Sequence, residues 1–122
     1  MKTRNPRKTN PRISALVKKL KIVSKKQKAE IWKTAARALE SPAQNWAEVN
    51  LDKLSNLTKS NETVLVVGKV LGAGELKHPI EIYSFNSSAT AKRLILFAKG
   101  KIGTIEELIE KNPKGTKVRL IR

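Results

Sequence analysis

The segment Thr63-Val64-Leu65-Val66-Val67 constrains the fold of this chain more than any other. Four apolar residues follow one another without a polar break, and three of them are β-branched. Branching at Cβ disfavours a helix and suits a pleated strand. The run is too short for a buried helix, so the sequence predicts a buried strand here. Gly68 interrupts it, and Lys69-Val70-Leu71 continues the extended run. Gly72-Ala73-Gly74 reads as a tight turn.

A second strand follows Pro79, where Ile80, Ile82 and Ser84 alternate with Glu81, Tyr83 and Phe85. Ser87-Ser88 can cap a helix running to about Lys99, with Ala91, Leu94, Ile95 and Ala98 as its stripe and Gly100 at C′. Lys101-Ile102 reads as a short strand. Thr104 and Glu107 have capping-box spacing and open a short helix that Asn112-Pro113 ends. Lys114-Gly115 turns into a last strand with Val118, Leu120 and Ile121.

The front of the chain has a different pattern. Residues 1–12 read as an extended basic arm. Asn10 is the expected N-cap and Pro11 the first position of a helix whose stripe is Ile13, Leu16, Val17 and Leu20. Ser24-Lys25-Lys26-Gln27 reads as a capping box for a second helix, with Ile31, Trp32, Ala35, Ala36 and Leu39 as its apolar set and Pro42 as its stop. Two helices so closely joined predict an αα-hairpin. A DNA-binding helix-turn-helix is a weaker reading, since the join lacks the usual glycine. Residues 43–50 form a connector with a short strand at Ala47-Glu48-Val49. Leu51, Leu54 and Leu57 predict a short helix with Asn50 as its cap, and residues 58–61 are turn material. The expectation is an α/β fold in a single domain, 1–122: an arm (1–12), a basic helical hairpin (13–41) and a mixed core of short strands and helices (42–122).

Charge names the class of partner. The chain of 122 residues holds 26 Lys+Arg against 10 Asp+Glu, a net +16. Residues 1–40 carry 13 basic side chains and two acids, Glu30 and Glu40, a net +11. Residues 41–122 carry 13 basic and 8 acidic side chains, a net +5. Such an excess repels itself unless a polyanion neutralises it, and nucleic acid is the leading candidate. The basic residues expected to meet it are Lys2, Arg4, Arg7, Lys8, Arg12, Lys18, Lys19, Lys21, Lys25, Lys26, Lys28, Lys33 and Arg37. An ordinary surface mixes both signs far more evenly than this. Aromatics make up only 4% of the chain, which argues against a membrane-surface helix and against a stacking platform for single-stranded bases.

Other chemistries fall away. The chain has no cysteine, so it has no disulfide frame, thiolate zinc site or thiol nucleophile. The first twelve residues lack the apolar core of a secretory signal, and no apolar run is long enough to span a membrane. The Gly68–Gly74 segment is not a P-loop, because Glu75 and Leu76 stand where Lys and Ser/Thr are needed. Lys77 stands where a dinucleotide fingerprint needs its third glycine. The reading left for Gly72 and Gly74 is a structural turn or a close approach to an RNA phosphate, helped by Lys69 and Lys77. His78 is the only histidine and, before Pro79, reads as structural or as an RNA contact. Glu106 and Glu107 fit the first turn of a helix better than an acid–base pair. No cofactor, metal site or catalytic residue is expected.

The segments Asn5-Pro6 or Asn10-Pro11, Ala47 to Leu51, Thr63 to Leu76, His78-Pro79 and Ile105 to Gly115 resemble, in this order, the large-subunit ribosomal protein eighteen-e family of archaea and eukaryotes, a relative of bacterial large-subunit protein fifteen. The length resembles the archaeal form. The resemblance implies a non-enzymatic structural protein of the cytoplasmic ribosome, partnered by large-subunit ribosomal RNA and neighbouring ribosomal proteins. It implies an irregular β-β-α core preceded by basic helices. It also favours an RNA contact at Gly72 and Gly74. Trp46 departs from the basic residue that the family pattern would put there. The alternative function is a DNA or chromatin protein using the two basic helices, which would want a dimer interface and a recognition helix.

Overall fold

A computed structural model describes residues 11–41 and 46–121 of the protein. Lys2, Arg4, Arg7, Lys8, the Asn10 cap and the Pro42 stop lie outside the described residues. The elements in order are α1 (Pro11–Gln27), α2 (Glu30–Glu40), β1 (Ala47–Asn50), α3 (Leu51–Leu57), β2 (Thr63–Leu71), β3 (Glu81–Ser87), α4 (Ala89–Phe97), β4 (Lys101–Thr104), α5 (Ile105–Lys111) and β5 (Val118–Ile121).

The strands form one parallel sheet in the order β1-β2-β3-β4, with β5 also paired to β2. The strand read from the valine run is its centre. β3 lies along one edge of β2, while β5 and β1 follow each other along the opposite edge. β5 pairs Thr63–Val66 and β1 pairs Gly68–Leu71. The change-over falls at Gly68, where the β2–β3 register also shifts between Val66 and Lys69. A Cβ on Gly68 would stand 2.0 Å from the Ala47 carbonyl oxygen, so only glycine lets β1 pair here.

Helices cover both faces. Leu65 and Val67 of β2, with Tyr83 and Phe85 of β3, pack against buried residues of α1, α2 and α5. Val64, Val66 and Val70, with Ile82, pack against Leu51 and Leu54 of α3 and Ala91 and Ile95 of α4. A strand covered on both faces reads as an unbroken apolar run. For the same reason the alternation in β3 does not mark an inside and an outside. Tyr83 and Phe85 enter one core and Ile82 the other, and Ser84 is buried with its Oγ donating to the Asn86 carbonyl at 2.9 Å.

The front helices are a layer of the core rather than an appendage preceding it. Leu16, Val17, Leu20, Trp32, Ala35, Ala36 and Leu39 are buried against the sheet. The fully buried Trp32 donates from Nε1 to the Pro113 carbonyl at 2.7 Å.

Several local expectations change. Ser24–Gln27 is no capping box, because α1 continues through it and α2 starts at Glu30 after Ala29, with no side-chain cap bond. Lys25 and Lys26 occupy the last turn of α1, where cations suit the carbonyl end. Lys28 makes the join in the left-handed conformation (φ 54°), where a glycine is usual. Arg12 belongs to α1 and not to an extended arm. Asn50 holds the N-cap position of α3 without a side-chain bond, and Leu57 stays 42% exposed. Gly100 sits one position beyond C′. Lys99 takes the left-handed conformation (φ 66°), while Gly100 N–H reaches the Ile95 carbonyl at 2.9 Å.

Parallel neighbours need a return crossover. α3 and α4 supply two of them, and α5 carries the chain from β4 to β5 on the opposite edge of β2. The segment 72–80, which opens with the glycine turn, returns from β2 to β3 without a helix and lies along α3. Lys77 N–H donates to Ser55 Oγ at 3.1 Å, and His78 Nε2 lies 3.2 Å from the Ser55 carbonyl.

Candidate nucleic-acid interface

The apolar stripes of α1 and α2 face the sheet, so their polar sides turn outward together. Between them runs an open groove of about 620 Å³ lined by Lys21, Ile22, Ser24, Lys25, Glu30, Lys33, Ala36, Arg37 and Glu40. Helical spacing makes this convergence. Lys21 and Lys25 are one turn apart on α1, as are Lys33 and Arg37 on α2. Four cations and two acids leave the groove net positive. Lys21 crosses it to Glu40 at 2.9 Å.

The described basic residues of the front divide into paired and unpaired sets. Arg12 binds Glu106 of α5 bidentately, and Lys19 reaches Glu110 at 3.5 Å. Lys18, Lys25, Lys26, Lys28, Lys33 and Arg37 are exposed and make no ion pair among the described residues. These six are the charges most open to a polyanion. The hydrogen bonds from Arg12 hold the Glu106 carboxyl below its ordinary value of 4.5, against an opposing push from burial. The same bonds raise the Arg12 pKa. A further mixed cluster joins Lys111 to Glu81 at 3.2 Å and to the Tyr83 hydroxyl at 3.3 Å. Burial there pushes Glu81 upward, and the bonds from Lys111 and Tyr83 overcome it, leaving Glu81 below its ordinary value.

The later sequence-predicted contacts do not join the hairpin groove. Lys69 is exposed in a shallow pocket with Trp46, Glu48 and Phe85. Its register partner on β1 is the acid Glu48. Gly74 has φ +87°, and a Cβ there would stand 2.2 Å from the Asp52 carboxylate. Gly72 abuts Thr90. Each glycine therefore has an internal packing reason, and the neighbours of Gly74 are the acids Asp52 and Glu75. Lys77 is exposed on the crossover. His78 is half-buried, with Nδ1 buried and without a hydrogen-bond partner. Trp46 packs edge-on against Phe85 at 4.9 Å and donates to the Ser41 carbonyl at 3.1 Å. Sequence reasoning passed over Lys92 and Arg93 on the exposed side of α4. The signal was present, since both fall off the Ala91–Ile95 stripe.

Among the described residues no three His, Asp or Glu side chains gather as a metal site, and no helix is long and apolar enough to cross a membrane. The family described as "Ribosomal protein 60S L18 and 50S L18e" matches residues 1–122. The large ribosomal subunit protein eL18 of Methanoregula boonei is 45% identical over 120 residues, covering 98% of this chain and 99% of that one. That of Methanococcus maripaludis is 46% identical over 113 residues, covering 93% and 94%. That of Halobacterium salinarum is 40% identical over 115 residues, covering 94% and 98%. By a family match over its whole length and relatives 40–46% identical, the chain belongs to the L18 and L18e family of large-subunit ribosomal proteins.

Proposed function

We propose that the protein is a structural constituent of the large ribosomal subunit in the cytoplasm that binds ribosomal RNA through phosphate and shape contacts and catalyses no reaction. Family membership supports the ribosomal role. The observation that carries the RNA reading is the α1–α2 groove, where Lys21, Lys25, Lys33 and Arg37 converge on a surface turned away from the core. Basic side chains that displace counterions from phosphates make binding fall steeply with salt. A-form RNA hides its base edges in a deep groove, so such a surface reads backbone and shape. Arginine supplies forked phosphate contacts and lysine point charges. Lys2, Arg4, Arg7 and Lys8 extend this grip by their sequence alone, and neighbouring ribosomal proteins complete the contacts. The whole chain acts as one domain.

The test is the salt dependence of binding to large-subunit ribosomal RNA. Lys33→Gln with Arg37→Gln lowers the magnitude of the log–log slope by about 1.5, since each lost phosphate contact removes roughly 0.7–0.9. Replacing Lys2, Arg4, Arg7 and Lys8 by Gln lowers it further. An unchanged slope in the groove variant removes the groove from the interface. A protein that never sediments with large subunits from a low-salt lysate is not a constituent of them.

A further inference from the structure

The five aromatic side chains of the sequence are placed very unequally. Trp32, Tyr83 and Phe85 are buried and Trp46 is half-buried. Phe97 is 85% exposed, and its neighbour Leu96 is 60% exposed. Leaving this much aromatic surface in water is unfavourable and marks a contact surface when it borders a concavity. Phe97 does so. It forms one wall of an open cleft of about 700 Å³ with Gly74, Glu75, Leu76, Lys77, His78, Pro79, Leu94 and Ala98.

The charge around this ring selects the occupant. Arg93 lies one turn before Phe97 on the same side of α4. Lys99 follows Phe97 two positions later, and Lys77 stands in the cleft wall. Arg93, Lys99 and Lys77 are exposed and make no ion pair among the described residues, whereas Lys92 lines a separate pocket with Glu107 and Lys101 sits beside Glu81. Glu75 is the single acid of the lining. An aromatic ring beside three such cations fits a base with its phosphates, whereas an apolar protein segment would gain nothing from neighbouring like charges. The backbone that carries the ring is fixed. Phe97 ends α4, and the turn after it is closed by Gly100 N–H on the Ile95 carbonyl and Lys99 N–H on the Leu96 carbonyl. A backbone already fixed loses little further freedom when a base stacks on its side chain.

Against the expectation from low aromatic content, we propose that Phe97 is a one-ring stacking platform for an unpaired base of the bound RNA, with Arg93 and Lys77 taking the adjoining phosphates. The contact rests on the RNA-binding reading and adds a single-strand site on α4, across the sheet from the hairpin groove. Unpaired bases splayed onto aromatic faces are a general mode of RNA recognition.

The test uses the full chain and two fluorescently labelled RNAs, a ten-nucleotide single strand without self-pairing and a paired duplex of equal length. Phe97→Ala weakens the single strand on the order of tenfold, as expected for one stacked base, and leaves duplex affinity unchanged. Phe97→Tyr retains single-strand affinity. Because Phe97 is exposed, neither substitution disturbs the core. Equal single-strand affinity in wild type and Phe97→Ala overturns the proposal while the duplex arm still reports RNA binding. Loss of a neighbouring ribosomal protein from the assembled subunit, with single-strand affinity intact, assigns Phe97 to a protein contact and also overturns it. Failure of the wild type to bind either RNA overturns the RNA-binding reading itself.

Discussion

Arg12 holds Glu106 with both ends of its guanidinium fork, Nε to Oε2 at 2.9 Å and Nη2 to Oε1 at 3.1 Å. The contact ties the first turn of α1 to the first turn of α5, and the guanidinium carbon also lies 4.0 Å from the centre of the Phe85 ring. Both side chains are about one third exposed (36% and 33%), so solvent screens the pair. Glu106→Gln is expected to cost about 0.5–1 kcal/mol at neutral pH, the upper range for a surface ion pair. The folded carboxyl titrates below its ordinary value. Its contribution is therefore complete above the unfolded value of about 4.3 and disappears as pH falls through the folded one. Urea unfolding should show a constant gap between wild type and variant from pH 6 to 8 that closes below pH about 4.

Gly68→Ala tests the change-over on the edge of β2. The new methyl group meets the Ala47 carbonyl oxygen, which is backbone and cannot swing aside. A loss of about 1–3 kcal/mol is expected from this crowding. Hydrogen exchange should accelerate in Ala47–Asn50 more than in β3, because β1 is the strand displaced.

Gly74→Ala carries two separable costs, the positive φ and the collision with Asp52. The single variant should lose about 1–3 kcal/mol. Adding Asp52→Ala removes the carboxylate part of the collision and keeps the Cβ contact at 2.5 Å, so thermal unfolding of the double variant should recover part of the loss. Full recovery would show that the backbone conformation costs nothing.

Trp32→Ala removes the largest buried side chain of the hairpin and its bond to Pro113. A loss of about 3–5 kcal/mol is expected. In a Trp46→Phe background, Trp32 fluorescence follows the hairpin while far-ultraviolet circular dichroism follows the whole chain. Coincident urea transitions are expected if the domain is one cooperative unit. A separate early fluorescence transition would divide the hairpin from the sheet.

Much of this arrangement is legible in the amino-acid sequence, and the exceptions have physical causes. The valine run named the central strand because burial on both faces leaves no polar alternation to obscure it. The Thr104–Glu107 box was legible because both reciprocal bonds form. Ser24–Gln27 has the same spacing and no cap forms, since a helix with unspent apolar stripe continues through a weak local signal. The groove cations Lys21, Lys25, Lys33 and Arg37 could be named singly, but their convergence depends on how α1 packs against α2. The pairing of Arg12 and Lys19 with Glu106 and Glu110 spans more than ninety residues and leaves no local trace. Phe97 falls off the Ala91, Leu94, Ile95 and Ala98 stripe, but the cleft beside it depends on how residues 74–79 pack against α4 and leaves no local trace.

The placement of β5 has a consequence for synthesis. Along Thr63–Val66 the edge of the central strand opposite β3 stays open until residues 118–121 arrive. Trp32 likewise waits for the carbonyl of Pro113. A nascent chain that has cleared the exit channel only through α4 thus presents a bare row of backbone donors and acceptors on a valine-rich strand, the kind of edge that recruits other strands. The basic hairpin is already outside at that stage, so this chain can meet a polyanion before it can finish its own sheet.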